Sequence, residues 1–173
     1  MPTQIWAPWR MKYITGEAKD PRCFMCAASE DPAQFRERLV LVVQPHALVM
    51  LNKFPYTTSH LLVAPRRHVG DLTDLPDEEY DAFMRLVRES VVRLRRAVSC
   101  EAMNVGFNLG HAAGAGHAEH VHGHLVPRWV GDNNFMPVLG DVRVMSEYLD
   151  DAWQRLNEAF ADIPGQHATE PAK

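Results

Sequence analysis

Three histidines alternate within one short stretch of the chain. His120, His122 and His124 stand in "HVHGHLVP", directly after the glycine-rich stretch "GHAAGAGHAE". Because strand side chains alternate between two faces, this spacing predicts three imidazoles on one face of one strand, roughly 6 to 7 Å apart. Histidines arranged in this way are consistent either with a metal site or with catalysis.

The metal alternative accounts for two of these histidines better than for three. Neutral imidazole is a common zinc ligand, and a catalytic zinc ion often has several histidine ligands. The first and third rings would lie roughly 13 Å apart along a strand, which is too far for one ion without distortion. The spacing therefore does not by itself indicate a metal ion bound by all three.

Catalysis at phosphorus accounts for the whole stretch. A neutral imidazole is a good nucleophile near pH 7, and neighbouring rings donate hydrogen bonds to phosphoryl oxygens or to a leaving group. The preceding glycines leave backbone N–H groups open to an anion. The pattern therefore favours phosphoryl or nucleotidyl transfer without a catalytic metal.

A second group with chemical potential is the pair Cys23 and Cys26 in "CFMC". A redox pair is expected at a helix N-terminus after a strand, and no strand pattern precedes these residues. Two unrelated surface thiols are another interpretation. The spacing favours structural zinc, because two thiolates at CxxC spacing bind one tetrahedral ion and two histidines complete it.

Composition restricts the class of protein. The chain has 173 residues, of which 46% are hydrophobic, and this favours one globular domain. Its net charge of −4 argues against a nucleic-acid-binding protein. No apolar stretch approaches the about 18 residues of a membrane span, and the N-terminus does not resemble a signal peptide. With only three cysteines, a disulfide framework is not expected, and we expect a cytoplasmic protein.

Hydrophobic periodicity predicts an α+β fold. Helical spacing of apolar residues predicts a long helix over 76–99 and a second helix over 145–160. Short apolar runs bounded by turn residues predict an antiparallel sheet of about five strands. The predicted strands are "RLVLVVQ", "HALVMLN", "HLLVAP", "AMNVGFNL" and "HVHGHLV".

Residues 21–130 resemble the histidine triad (HIT) superfamily of nucleotide hydrolases and transferases. The resemblance rests on "CFMC", on "LNKFPYTTSHLLVAPRRH" and on "GAGHAEHVHGHLVPRW". The stretches "IWAPWRMKYI" and "PRWVGDNNFMPVLGDVRV" are most similar to the bacterial branch that includes diadenosine tetraphosphate phosphorylases. The resemblance implies a HIT-like fold, a homodimer, and a purine nucleotide or dinucleoside polyphosphate as the substrate.

The resemblance also implies the roles of individual residues. His122 corresponds to the nucleophile that forms a nucleotidyl-histidine intermediate. His124 corresponds to the residue that binds the phosphate or the leaving oxygen, and His120 to the one that orients the other two. The remaining implied site residues are His60 beside the three histidines, Asn52 at the ribose, and Asn108 at the phosphates.

This chain departs from the family pattern just before the three histidines. Many members have Gln or Ser where Gly116 stands here, and His117 follows it. We expect His117, or backbone N–H groups around Gly116, to make the phosphate contact instead. In zinc-containing members the cysteine pair is completed by two histidines, which implies the ligands Cys23, Cys26, His68 and His120 in this chain.

The predicted organisation has three parts. Residues 1–20 form an N-terminal extension that packs on the domain, 21–160 form the HIT domain with its C-terminal helix, and 161–173 form a flexible tail. The predicted activity is attack at the α-phosphate of an adenine nucleotide such as diadenosine tetraphosphate. The alternatives are a nucleoside phosphoramidase, a nucleotide-binding regulatory protein without turnover, and a zinc-dependent hydrolase.

Overall fold

The computed structural model describes residues 22–132 and 144–168. In chain order, they form α1 (Phe24–Ala28), β1 (Val40–Val43), β2 (Ala47–Leu51), β3 (Leu61–Pro65), α2 (Asp77–Val98), β4 (Ala102–Phe107), β5 (Gly123–Arg128) and α3 (Leu149–Phe160). Within these residues, five strands form one antiparallel sheet in the order β1-β2-β3-β5-β4. The predicted α+β class, with its long central helix and C-terminal helix, is confirmed.

The first three strands are buried on both faces of the sheet. In β1, Leu41 belongs to the core that α2 and α3 cover, whereas Val40 packs with Met25 of α1 and with Phe35 on the other face. Adjacent residues of a strand point to opposite faces, so an unbroken apolar run is needed to fill both. By contrast, β4 is an edge strand and is largely exposed.

Helix α2 agrees with its prediction to within one residue at each end. Three acidic residues, Asp77, Glu78 and Glu79, occupy its first turn, where negative charge complements the helix dipole. It ends at Val98, because the left-handed backbone of the following Ser99 (φ +48°) stops the helix. No helix in the described part of the chain is long and apolar enough to cross a bilayer.

Helix α3 begins four residues later than predicted, at Leu149 rather than at Met145. Tyr148, within the predicted helix, is exposed and precedes the first helical turn. Trp153, on the buried face, donates from Nε1 to the Val40 carbonyl of β1 at 3.0 Å. This bond fixes the helix on the edge of the sheet opposite β4.

The chain remains packed after α3. The Ile163 side chain is buried, and the backbone of Gln166 pairs with Val43 of β1. The His167 ring donates to one of two carbonyls in reach, those of Leu41 at 3.0 Å and Ile163 at 2.8 Å. The packed part of the chain thus extends to residue 168 instead of ending at 160, while the predicted extension over 1–20 lies outside the described residues.

Candidate active site and metal-binding group

The three alternating histidines do not share one strand. Pairing between β3 and β5 begins at Val63 and Gly123, so His124 is the only one of the three within β5. Before that point the Val121 amide donates to the Val69 carbonyl at 2.7 Å, outside the strand ladder. The predicted strand over 120–126 is therefore wrong for its first three residues, and it extends to Arg128 instead.

The His122 ring is held by the backbone in one orientation. Its Nδ1 lies 2.8 Å from the carbonyl oxygen of His120, two residues earlier. A carbonyl only accepts hydrogen bonds, so Nδ1 carries the proton and the lone pair of the neutral ring is on Nε2. His122 is 7% exposed, and its ring centroid lies 4.9 Å from that of His124. This is the tautomer required of an Nε2 nucleophile.

His60 and His124 form a hydrogen-bonded pair whose direction is also set by the backbone. The Tyr56 amide donates to His60 Nδ1 at 3.2 Å, which places the His60 proton on Nε2. His60 Nε2 then donates to His124 Nδ1 at 3.0 Å, which leaves the His124 proton on its own Nε2. Burial, with a smaller contribution from His122, lowers the pKa of His124 to about 4. His124 is therefore a neutral donor near pH 7.

Each polar atom of the Asn52 side chain makes one hydrogen bond within the protein. Its Oδ1 accepts from the Phe54 amide at 2.9 Å, and its Nδ2 donates to His60 Nδ1 at 3.3 Å. The structure thus brings Asn52 together with His60 and His124, three residues that the sequence assigned to one site.

Two other predicted nucleotide-binding residues lie around the same end of the sheet. Asn108 directly follows β4, whose last residue, Phe107, pairs with Gly123. Gly116 is exposed, and a Cβ there would meet no atom within 4 Å. The backbone at Gly116 is therefore open to solvent. The contacts of both residues with a nucleotide stay predictions.

Tyr56 lies at this site, although the sequence did not indicate it as a site residue. Its ring stacks on His124 with centroids 5.8 Å apart and an interplanar angle of 17°, and its amide orients His60. The only signal in the sequence was an aromatic residue in the polar stretch before His60. That signal is weak, because the loop conformation decides where such a ring points.

Two cysteines and two histidines bring their side chains together in one group, which includes His120, the first of the three alternating histidines. The Sγ atoms of Cys23 and Cys26 lie 3.2 and 3.5 Å from His120 Nδ1, and Cys26 Sγ lies 3.4 Å from His68 Nδ1. One ligand atom from each of the four residues falls within 4.8 Å of the other three. The structure therefore brings together the four ligands predicted from the sequence, and we call them the Cys2His2 group.

The Cys2His2 group fits a tetrahedral cation. Ligand atoms about 2.0 to 2.3 Å from one ion are separated by roughly 3.3 to 3.8 Å, which matches the contacts found here. His120 Nε2 donates to the Pro65 carbonyl at 2.8 Å, so its Nδ1 lone pair faces the cysteines. Burial and the neighbouring Cys23 raise the pKa of the Cys26 thiol to about 11. Because two deprotonated thiols in this place repel each other, they require a cation between them.

Three further histidines belong neither to the Cys2His2 group nor to the His60–His124 pair. His117 Nε2 is 3.2 Å from Cys23 Sγ, so its ring lies against the Cys2His2 group, and burial lowers its pKa. His46 lies outside the Cys2His2 group, with its Nε2 3.9 Å from Glu78 Oε1. His111 is exposed in a 3-10 turn, His111–Ala113. The predicted phosphate contact of His117 stays a prediction, and its observed neighbour is a cysteine.

In sequence and fold the chain is similar to proteins of one family. The HIT domain model matches residues 36–130. The chain is 36% identical over 168 residues to an AP-4-A phosphorylase of Mycobacterium tuberculosis, covering 93% of this chain and 86% of that protein.

Two crystal structures resemble the chain in fold. A zinc-bound histidine triad family protein from Mycobacterium smegmatis has a TM-score of 0.62 and 27% identity, covering 82% of this chain and 94% of that one. A hypothetical histidine triad nucleotide-binding protein from Sulfolobus tokodaii has a TM-score of 0.64 and 20% identity, covering 82% and 93%. At the lower identity, the second comparison supports the fold alone.

Proposed function

Because this chain belongs to the HIT domain family, we propose that it is an enzyme that transfers the nucleotidyl group of an adenine nucleotide through a covalent bond to His122. The observation that carries this proposal is the bond from His122 Nδ1 to the His120 carbonyl, which leaves Nε2 as a nucleophile. Dinucleoside polyphosphates are the proposed substrates. The similarity to an AP-4-A phosphorylase over most of both chains supports this class.

In the proposed first step, His122 Nε2 attacks the α-phosphorus. An N–P bond forms while the P–O bond to the leaving group breaks, and the leaving oxygen keeps the electron pair. The positive charge that develops on the ring is stabilised by the bond from Nδ1–H to the His120 carbonyl. The Nε2–H group of His124 donates to a phosphoryl oxygen or to the leaving oxygen.

In the proposed second step, phosphate or water attacks the same phosphorus and the N–P bond breaks. The lone pair returns to His122 Nε2, and when water is the acceptor one of its protons passes to solvent. Asn52 and His60 lie at the edge of this site, because they contact each other and His60 contacts His124. Asn52 holds the ribose in this proposal, while Asn108 and the backbone around Gly116 hold the phosphates.

A substrate panel tests the proposed activity. We expect diadenosine tetraphosphate to yield ADP and ATP when phosphate is present, because phosphate accepts the nucleotidyl group. Products are resolved by chromatography with and without phosphate, and an adenosine phosphoramidate is included. Release of AMP and ATP would indicate a hydrolase, and preference for the phosphoramidate a phosphoramidase. Tight AMP binding without turnover of any substrate would overturn the enzyme proposal.

We further propose that the Cys2His2 group binds one structural zinc ion. The donor set of two thiols and two imidazoles, with spacings that suit a tetrahedral ion, supports this choice. Cys23 and Cys26 would hold it from the start of α1, and His68 and His120 from segments next to β3 and β5. Zinc here supplies a cross-link, and the proposed chemistry at phosphorus does not pass through it.

We propose a homodimer formed through β4 and the neighbouring face of α2. Val105 of β4 is 46% exposed and Val92 of α2 is 39% exposed. Val105 lies on the same face as Met103 and Phe107, which pack toward the α2 side of the sheet. An exposed edge strand beside apolar side chains is a surface that a second copy can cover.

An arginine at Val105 is expected to prevent this association. A buried charge at the centre of the interface has no partner there, so the variant should run as a monomer where the unchanged protein runs as a dimer. Light scattering after size exclusion measures the mass. Val144→Arg is the matched control, because this valine is 62% exposed and lies outside both β4 and α2. A monomeric wild type, or a dimeric Val105→Arg protein, would contradict the proposal.

A further inference from the structure

Ser59, directly before His60, has an unusual backbone conformation. Its φ of +59° is in the left-handed region, which non-glycine residues rarely adopt because Cβ crowds the backbone. The residue is 2% exposed, so water does not stabilise this conformation. Such a backbone persists when surrounding contacts hold it, and contacts around Ser59 should therefore control where His60 points.

The contact that holds Ser59 comes from the C-terminal helix. Arg155 of α3 donates from Nη2 to Ser59 Oγ at 2.8 Å and to Glu147 Oε2 at 2.7 Å. Thr58 Oγ1 donates to the same Glu147 oxygen at 2.9 Å. The Glu147 side chain is 19% exposed, so its charge is partly removed from solvent and the bonds it accepts are strong ones. Hydrogen bonds among Thr58, Ser59, Glu147 and Arg155 thus connect the loop before β3 to α3.

The loop fastened in this way carries one half of the His60–His124 pair. His60 is 1% exposed and follows Ser59 directly, and its two ring nitrogens face Tyr56 and His124. A change of φ at Ser59 would rotate the chain that enters His60. The bond of 3.0 Å to His124 would then lengthen or lose its alignment.

We propose that Arg155 and Glu147 are positioning residues that keep Ser59 in the left-handed conformation and thereby keep His60 bonded to His124. Neither residue contacts the three alternating histidines in the described structure. Their effect on turnover rests on the proposed function, whereas their effect on the His60 ring does not.

Glycine provides a direct test, because it adopts a positive φ without a steric penalty. If Arg155 acts by holding Ser59, then a glycine at position 59 makes Arg155 dispensable. Arg155→Met alone should be impaired, Ser59→Gly alone should resemble the wild type, and the double variant should resemble Ser59→Gly. Arg36→Met is the matched control, since Arg36 also pairs with α3, through Asp150.

The measurement is the pair of ¹⁵N shifts of the His60 imidazole, read by NMR, together with turnover of diadenosine tetraphosphate. In the wild type we expect Nδ1 unprotonated and Nε2 protonated. Arg155→Met should average the two shifts and lower kcat about tenfold with little change in KM, as expected for a displaced catalytic group. The double variant should restore both readouts.

An unchanged His60 tautomer in Arg155→Met, or a double variant as impaired as the single one, would overturn the inference. If Arg155→Met does not fold, Ser59→Ala removes the same hydrogen bond while keeping Cβ, and an unchanged His60 tautomer in Ser59→Ala, or the same impairment in Ser59→Gly, would then overturn the inference. If the His60 ¹⁵N shifts change as expected among the variants but the wild type does not turn over the substrate, this inference is supported and the proposed activity is refuted.

Discussion

Replacing His122 with alanine is expected to reduce turnover of diadenosine tetraphosphate by at least about a thousandfold, since the variant has no nucleophile at phosphorus. Nucleotide binding should persist, because His60, His124 and Asn52 hold one another independently of the His122 ring. Initial rates measure the first effect and calorimetric titration with AMP the second.

The matched control for this variant is His111→Ala, which removes an exposed histidine from the 3-10 turn, His111–Ala113. It should retain wild-type rates. In the wild type, a substrate labelled at the α-phosphate should leave a label on the protein that acid removes and base does not. Normal turnover of His122→Ala would refute the assignment, and labelling of that variant would place the covalent bond elsewhere.

Replacing Cys26 with serine is expected to abolish metal binding and to destabilise the fold. Cys26 Sγ contacts both His68 and His120, so its loss opens the centre of the Cys2His2 group. A structural metal contributes several kcal/mol, and we expect the unfolding temperature to fall by roughly 10 °C or more. Elemental analysis should give one zinc per wild-type chain and nearly none in the variant.

Cys100→Ser serves as the control for loss of a thiol. Cys100 is buried after α2 and lies outside the Cys2His2 group, so this change should leave the metal content at one per chain. Chelation of the wild type should reproduce the lower unfolding temperature. A wild-type protein that is folded and stable without metal would contradict the structural role.

Much of this fold could be predicted from local sequence patterns. The long helix was located to one residue at each end because a proline and an acidic turn precede its apolar periodicity. The strands β1, β2 and β3 were located because turn residues bound each apolar run. The CxxC spacing indicated two of the four proposed metal ligands, whereas family resemblance implied His68 and His120, whose distance along the chain from the cysteines gives no local signal of contact.

The rest could not be predicted because it depends on tertiary contacts. The histidine spacing fits a strand, yet His122 bonds to the His120 carbonyl and β5 starts only at Gly123. Helix α3 begins late, since the backbone of Tyr148 is extended and Glu147 before it bonds to Thr58 and Arg155. The left-handed backbone at Ser59 has no signal in a serine, and its contact with Arg155 spans 96 residues.

The separation between Cys23 and His120, 97 residues, has a consequence for the order in which the protein is made. Both cysteines leave the ribosome before any strand of the sheet, whereas His120 follows β4, so the Cys2His2 group can assemble only after most of the domain has been synthesised. Closing so long a loop is entropically unfavourable until the sheet has brought its ends together. A newly made chain therefore brings all four ligands of the proposed zinc site together only after β3 and β5 have paired.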